Sequence, residues 1–129
     1  MGRIHVAVRY LADTHIVLWS WHTPDRLSRA QKAVLDGPDE VFVSIASIWE
    51  ISIKSSIGKL TTRSCVAEDL IATGFQILPI TARHAEAVRA LPLVHKDPFD
   101  RMLIAQARHE GLTILTADVH FSSYEVDVL

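Results

Sequence analysis

The sequence predicts one α/β domain with a mostly parallel sheet between helical layers, and three observations carry that expectation. Short β-rich runs alternate with helical stretches along all 129 residues, the pattern of successive strand–helix–strand units. That length suits a single domain with a sizeable buried core, taken to span 1–129. Hydrophobic residues make up 49% of the chain and charged residues 22%, the balance of a compact and fully ordered protein.

The elements are expected in the following order. Val8 to Ala12 reads as a first strand, and a helix through Ile16, Leu18 and Trp19 stops before Thr23-Pro24. Ser28 and Gln31 have the spacing of a capping box and open a short second helix that ends near Gly37-Pro38. Val41 to Val43 forms a strand, Ser44 caps a longer helix from Ile45 to Ile57, and Gly58 stops it. A helix from Ser64 to Thr73, a strand from Phe75 to Ile80 and a helix from Thr81 to Ala90 follow, then a loop from Leu91 to Pro98. Asp100 to Glu110 is the last helix, ended by Gly111, with strands at Thr113 to Thr116 and Val126 to Val128.

Composition narrows the function classes. Cys65 is the single cysteine, which removes an intrachain disulfide and a zinc-thiolate site and fits a reducing, cytoplasmic setting. No apolar run approaches the ~20 residues of a membrane-spanning helix, and no signal-peptide pattern opens the chain. The formal charge of -2 argues against non-specific coating of nucleic acid but not against a nucleic-acid enzyme. Lys54, Lys59 and Arg63 fall close together, although solvated charge is the ordinary role for each.

Four acids sit where a folding argument prefers something else. Asp13 ends the first strand, Glu50 lies within an apolar helix, Asp100 opens the last helix on its apolar side, and Asp118 follows a strand. Alone, each has a bland reading. Asp13 is a helix cap, Glu50 half of an exposed pair with Lys54, Asp100 a first-turn acid favoured by the helix dipole, and Asp118 the start of an Asx-turn. Glu50 is placed beside Ala46, Ile53 and Ile57 at the border of the apolar stripe, and Asp100 shares a face with Leu103, Ile104 and Ala107. An acid turned towards a core needs a partner. Since sites in such folds lie beyond the carboxyl ends of the strands, the four are expected to converge, and converging carboxylates call for Mg2+ or Mn2+. Water activated there would attack phosphorus, which makes phosphodiester hydrolysis the expected reaction. Asp97 and Thr116 are expected beside the site.

Other chemistries find less support. The seven histidines lack zinc-site spacing and are read as surface or capping groups, with His15 near enough to Asp13 to tune it. Glycine-rich phosphate loops and the G-x-S-x-G elbow are absent, which disfavours a kinase or a serine hydrolase. Trp19, Trp21 and Trp49 are expected in the core or at an interface. Lys54 and Arg101 are expected to pair with nearby acids, with phosphate contact as the alternative.

The order of these motifs resembles the PIN-domain toxins of the VapC type. Asp13-Thr14-His15 with Leu18-Trp19, the run Ser44 to Lys54 around Trp49-Glu50-Ile51, Gly58-Lys59-Leu60, Asp97-Pro98-Phe99-Asp100-Arg101 through Ala107, and Thr116-Ala117-Asp118 carry the resemblance from about Tyr10 onwards. It implies a three-layer α/β/α fold, endoribonuclease activity dependent on Mg2+ or Mn2+, a homodimer, and a VapB-type antitoxin that blocks the site; that antitoxin is expected to occupy a groove lined by the first helices and to seal the acidic mouth. It also implies metal-binding and catalytic roles for Asp13, Glu50, Asp100 and Asp118, with Asp97 and Thr116 supporting them. Residues 1–8 read as an addition ahead of the usual start. Two competitors remain. One is a catalytically silent module of the same fold that binds RNA or protein; the other is a phospho-acceptor signalling domain, disfavoured by Glu50 on a helix and by the lack of a lysine near the last strand.

Overall fold

The computed structural model describes residues 7–59 and 66–129. The expectations placed on residues 1–6, Arg63 and Cys65, and on the start of a helix at Ser64, lie outside these. Strands β1 (Tyr10–Ala12), β2 (Val41–Ser44), β3 (Gln76–Leu78) and β4 (Thr113–Leu115) form a parallel sheet in the order β3-β2-β1-β4. Tyr10 pairs with Val41 on one side and Thr113 on the other, and Phe42 pairs with Gln76. The chain leaves β1 towards β2 and later returns to the opposite side of β1 as β4. The order therefore reverses between β1 and β4, where open parallel sheets form their binding crevice.

Side chains alternate along each strand and divide the core in two. Leu11 and Ile114 pack with Leu103, Ile104 and Phe121 on one face, beneath α5 (Ala82–Ala87) and α6 (Pro98–Glu110). Ala12, Val41, Val43 and Leu115 pack on the other face with Ile16 of α1 (Thr14–His22) and Leu70 of α4 (Val66–Ala72), while α2 (Arg29–Asp36) adds Val34 and Leu35. The result is a three-layer α/β/α domain. Helix α3 (Ile45–Ser56) gives Ala46 to the first cluster and Ile51 to the second, so it runs past the sheet end between the layers.

Local chemistry sets most of the helix ends. Ser28 and Gln31 form the complete capping box expected at α2. Gly111 ends α6 at φ +67°, a left-handed conformation that glycine adopts without a Cβ clash. Helix α6 begins at Pro98, not at Asp100, because Asp97 is its cap and accepts from the amides of Phe99 and Asp100 at 2.8 and 3.0 Å. The first strand is shorter than expected: Val8 is exposed, and the ladder starts where Tyr10 donates to the Glu40 carbonyl. Strand β3 stops at Leu78, ahead of Pro79, and the helix after Thr81 tightens to a 3₁₀ turn at Val88–Ala90. The expected strand at Val126 to Val128 is one parallel bridge from Val128 to Ile114.

Candidate metal centre

Three parallel strands deliver the chain to one mouth: β1 into Asp13, β2 into the start of α3, and β4 into Thr116. Asp13 is 4% exposed. Its Oδ1 caps α1 by accepting from the Ile16 amide at 3.0 Å, and its Oδ2 accepts from the Thr116 hydroxyl. Burial raises its pKa, and the Thr116 hydroxyl and the Ile16 amide offset part of that rise. His15, on the exposed start of α1, acts in the same lowering direction through its charge.

Glu50 is buried at 7% exposure, deeper than an exposed helix pair would place it. The stripe was misjudged by part of a turn: Ala46, Ser47, Glu50 and Ile51 face inwards, whereas Ile53 and Ile57 are exposed. Thr14 donates to Glu50 Oε1 at 2.6 Å, and Lys54 pairs with Oε2 at 3.1 Å, as the sequence led us to expect of that lysine. A hydroxyl has one proton, so Thr14 leaves the Ser47 hydroxyl, 3.0 Å away, to donate to it.

Asp100 stands in the first turn of α6, held in place by the Asp97 cap. Its pKa is pushed up to about 6 by burial first, then by the charges of Asp97, Glu50 and Asp13, against the opposing influence of His95. Asp97, Glu50 and Asp13 therefore lie within electrostatic reach of Asp100. Asp118 is the most open of the four. Its partial burial favours a higher pKa, but the His120 amide and ring and the charges of His120 and His95 together bring it below the ordinary value. Thr116 links the two sides of the mouth, donating to Asp13 Oδ2 while accepting from the Asp118 amide at 3.0 Å.

All six residues singled out in the sequence therefore lie at one mouth, four as converging carboxylates and two as their supports. Lys54 pairs with Glu50 and His95 with Asp100, so each meets one of the acids directly. Hard oxygen donors fit a hard divalent cation. Beside Asp13 and Asp118 a cleft of about 330 Å³ is also lined by His15, Trp19 and Arg26. Arg26 lies 4.4 Å over the Trp19 ring, a cation–π contact that gives the acidic mouth a positive rim.

Sequence reasoning missed several partners. His95 Nε2 lies 2.8 Å from Asp100 Oδ2 and 3.9 Å from Asp118 Oδ2, and His120 Nδ1 lies 2.8 Å from Asp118 Oδ1. These two histidines belong to the mouth. Only the i,i+2 spacing of Asp118 and His120 hinted at this. His84 is a capping group as expected, but a buried one, bonded to Glu110 at 2.8 Å. Among the described residues Arg101 makes no ion pair with an acid; its guanidinium donates to the carbonyls of Pro92, His95, Val88 and Leu91. Trp19 and Trp21 pack partly against the core, whereas Trp49 is 60% exposed and meets Phe99 edge-on at 5.2 Å.

Comparison with known proteins places this geometry in a family. The PIN domain model matches residues 10–126. Ribonuclease VapC22 of Mycobacterium tuberculosis (strain ATCC 25618 / H37Rv) is 30% identical over 122 residues, covering 88% of this chain and 90% of the relative. The chain belongs to the PIN domain family and, within it, to the VapC type. Among solved structures, VapBC2 from Rickettsia felis, bound to a promoter DNA fragment, matches with a TM-score of 0.73 at 14% identity, covering 95% of this chain and 98% of that one. FitAcB from Neisseria gonorrhoeae matches with a TM-score of 0.67 at 21% identity, covering 93% and 96%. At those identities the two share the fold.

Proposed function

We propose that the chain is the toxin of a toxin–antitoxin pair, an endoribonuclease that hydrolyses RNA phosphodiester bonds with the aid of Mg2+ or Mn2+. The observation that carries this reading is the placing of Asp13, Glu50, Asp100 and Asp118 about one mouth, where the charges of Glu50 and Asp13 act on the Asp100 carboxyl and Thr116 links Asp13 to the Asp118 turn. The ribonuclease name of the M. tuberculosis relative supports it. Bound among these oxygens, the ion would supply an activated water and neutralise charge on the phosphate.

The protein's own contribution is placement. Thr116 fixes Asp13 and orders the Asp118 turn, Thr14 and Lys54 hold the two oxygens of Glu50, and the Asp97 cap sets the first turn of α6 so that Asp100 faces the others. Ligands held in place in this way need little rearrangement to bind an ion. The reading places the chain in the cytoplasm, with its RNA. Inducing it alone in a bacterial host tests the assignment. Cleaved RNA ends that appear with the parent chain and not with Asp13→Asn are expected; equal fragmentation by both would contradict it.

Two protein partners belong to the same reading. The antitoxin would fill the groove of about 620 Å³ beside α1 and α2, whose apolar lining includes Trp21, Leu27, Leu35 and Phe75; the structural likeness to a toxin-antitoxin complex from Klebsiella pneumoniae supports such a partner. A second copy of this chain would cover the exposed stripe formed by Ile45, Trp49 and Ile53 on α3 and by Ile57 at its C-cap. Residues four apart share one helix face, and a two-fold axis can set such a face against itself. An apolar groove of about 440 Å³ beside Trp49, lined in part by Val88, Phe99 and Met102, offers the complementary hollow. Trp49→Glu is expected to turn a dimer into a monomer in sedimentation, and a dimer that survives the change would exclude this face.

A further inference from the structure

We propose that Gln31 is a positioning residue for the metal centre, which from α2 holds Thr116 and, through it, Asp13 and the Asp118 turn. The inference rests on the metal-centre reading above and adds to it a residue on a helix that carries none of the four acids. Gln31 is the one buried residue of α2, while the apolar Val34 and Leu35 of the same helix are only partly covered. Burying an amide in place of a hydrocarbon costs stability unless its hydrogen bonds are met.

The capping box does not account for that burial. It uses only Oε1, which accepts from the Ser28 amide at 3.0 Å, and glutamate serves at that position as well as glutamine. What glutamine adds is the NH2 group. Nε2 donates to the Thr116 carbonyl at 3.1 Å and to the Leu129 main-chain oxygen at 3.0 Å, so both of its hydrogens are used. Turning the amide over would set its oxygen against two acceptors, which fixes its orientation.

Thr116 needs such a partner. It lies one residue past the end of β4, where the ladder to β1 has finished, so its main-chain groups must find bonds elsewhere. Its amide donates to the Leu129 oxygen at 3.2 Å, and the Leu129 amide donates to the Ile114 carbonyl at 2.8 Å. Gln31 takes the Thr116 carbonyl and the same Leu129 oxygen, and so clamps the strand end to α2. With both main-chain groups held, Thr116 aims its hydroxyl proton at Asp13 Oδ2 and receives the Asp118 amide on the same oxygen. Residues bonded directly to metal ligands typically set affinity by about 10- to 100-fold. Gln31 acts one residue further out, at the lower end of that range.

Gln31→Met keeps the side-chain length and removes the clamp; Gln31→Glu also keeps the capping oxygen and loses only the donors. Mn2+ is titrated by calorimetry into the metal-free full chain, these two variants, Ser28→Ala, Thr116→Val and the Gln31→Met/Thr116→Val double variant, each checked for folding by circular dichroism. Both Gln31 variants are expected to bind Mn2+ about tenfold more weakly. For Gln31→Glu this opposes simple charge, since an added anion behind the mouth would tighten the hold on a cation. Ser28→Ala breaks the other half of the capping box and should lower Tm without weakening Mn2+ binding, which separates positioning from helix stability. The double variant should bind about as weakly as Thr116→Val alone, because Gln31 acts through that residue. In the metal-free chain the Asp118 amide should exchange its hydrogen faster in both Gln31 variants, and at the parent rate in Ser28→Ala. Unchanged Mn2+ affinity in a folded Gln31 variant, an equal loss in Ser28→Ala, or losses that multiply in the double variant would overturn the proposal. RNA cleavage that needs Mg2+, beside unchanged Mn2+ affinity in the Gln31 variants, would sink it and leave the nuclease reading intact. Gln31-dependent Mn2+ binding in a chain that cuts no RNA would do the reverse.

Discussion

Asp13→Asn is expected to lower RNA cleavage by about three orders of magnitude while the domain stays folded. The loss follows from charge. Asp13 is the most buried of the four acids, and replacing its carboxylate with an amide would remove the anionic donor nearest the sheet. An ion's stabilisation of charge in such a reaction amounts to several kcal/mol, and each ~1.4 kcal/mol is tenfold in rate. The fold survives because asparagine caps a helix about as well as aspartate, and the amide oxygen can still accept from Ile16. Asp13→Ala would cost about 1 kcal/mol more in stability through the lost cap. Cleavage rates measured beside thermal melts separate the two effects. Full activity in Asp13→Asn would remove Asp13 from the chemistry.

Asp100→Asn should have two opposite effects, a comparable loss of cleavage and a gain in metal-free stability at neutral pH. In the folded chain its pKa is raised from 3.8 to about 6. Between those values the folded state binds more protons than the unfolded chain. The group's stabilising contribution is therefore complete below the unfolded value and is lost as pH rises through about 6. The asparagine variant lacks this dependence. Because the side chain retains some exposure and loses its His95 contact, the gain at pH 8 should be modest, about 0.5 kcal/mol or about 2 °C in Tm. The same proton competes with an ion. In the parent chain cleavage should fall about tenfold per pH unit below 6 as Asp100 protonates. Melting curves from pH 4 to 8 without metal check the first effect; a variant less stable than its parent at pH 8 would show that Asp100 is content as an anion.

What was readable in the sequence was mostly local. Ser28 with Gln31, Ser44 and Gly111 mark helix ends through bonds to residues a few places away, so their roles follow from spacing alone. Asp13 and Thr116 were also readable, since a strand ending in a polar residue points to the carboxyl edge of a parallel sheet. Asp97 was underestimated because its function is geometric. By capping α6 ahead of Pro98 it moves the helix start and turns Asp100 into the mouth. The histidines were unreadable for a different reason. His95 reaches Asp118 from 23 positions earlier in the chain, and only the Arg101 and Tyr124 contacts of its loop put it there. Arg101, beside Asp100, looked like an ion-pair partner, yet the loop at Leu91 to Lys96 presents carbonyls that need a donor. The shift of the buried face of α3 had the same origin, because Glu50 finds its partner Thr14 on another helix.

The central claim is that RNA hydrolysis here depends on a cation held by these acids. The most direct measurement incubates the purified, antitoxin-free chain with total cellular RNA in Mg2+, after EDTA, and after Mg2+ is restored. Discrete fragments that vanish with EDTA and return with Mg2+ are the predicted result. Fragments that persist in EDTA, or RNA left whole in every condition, would contradict it.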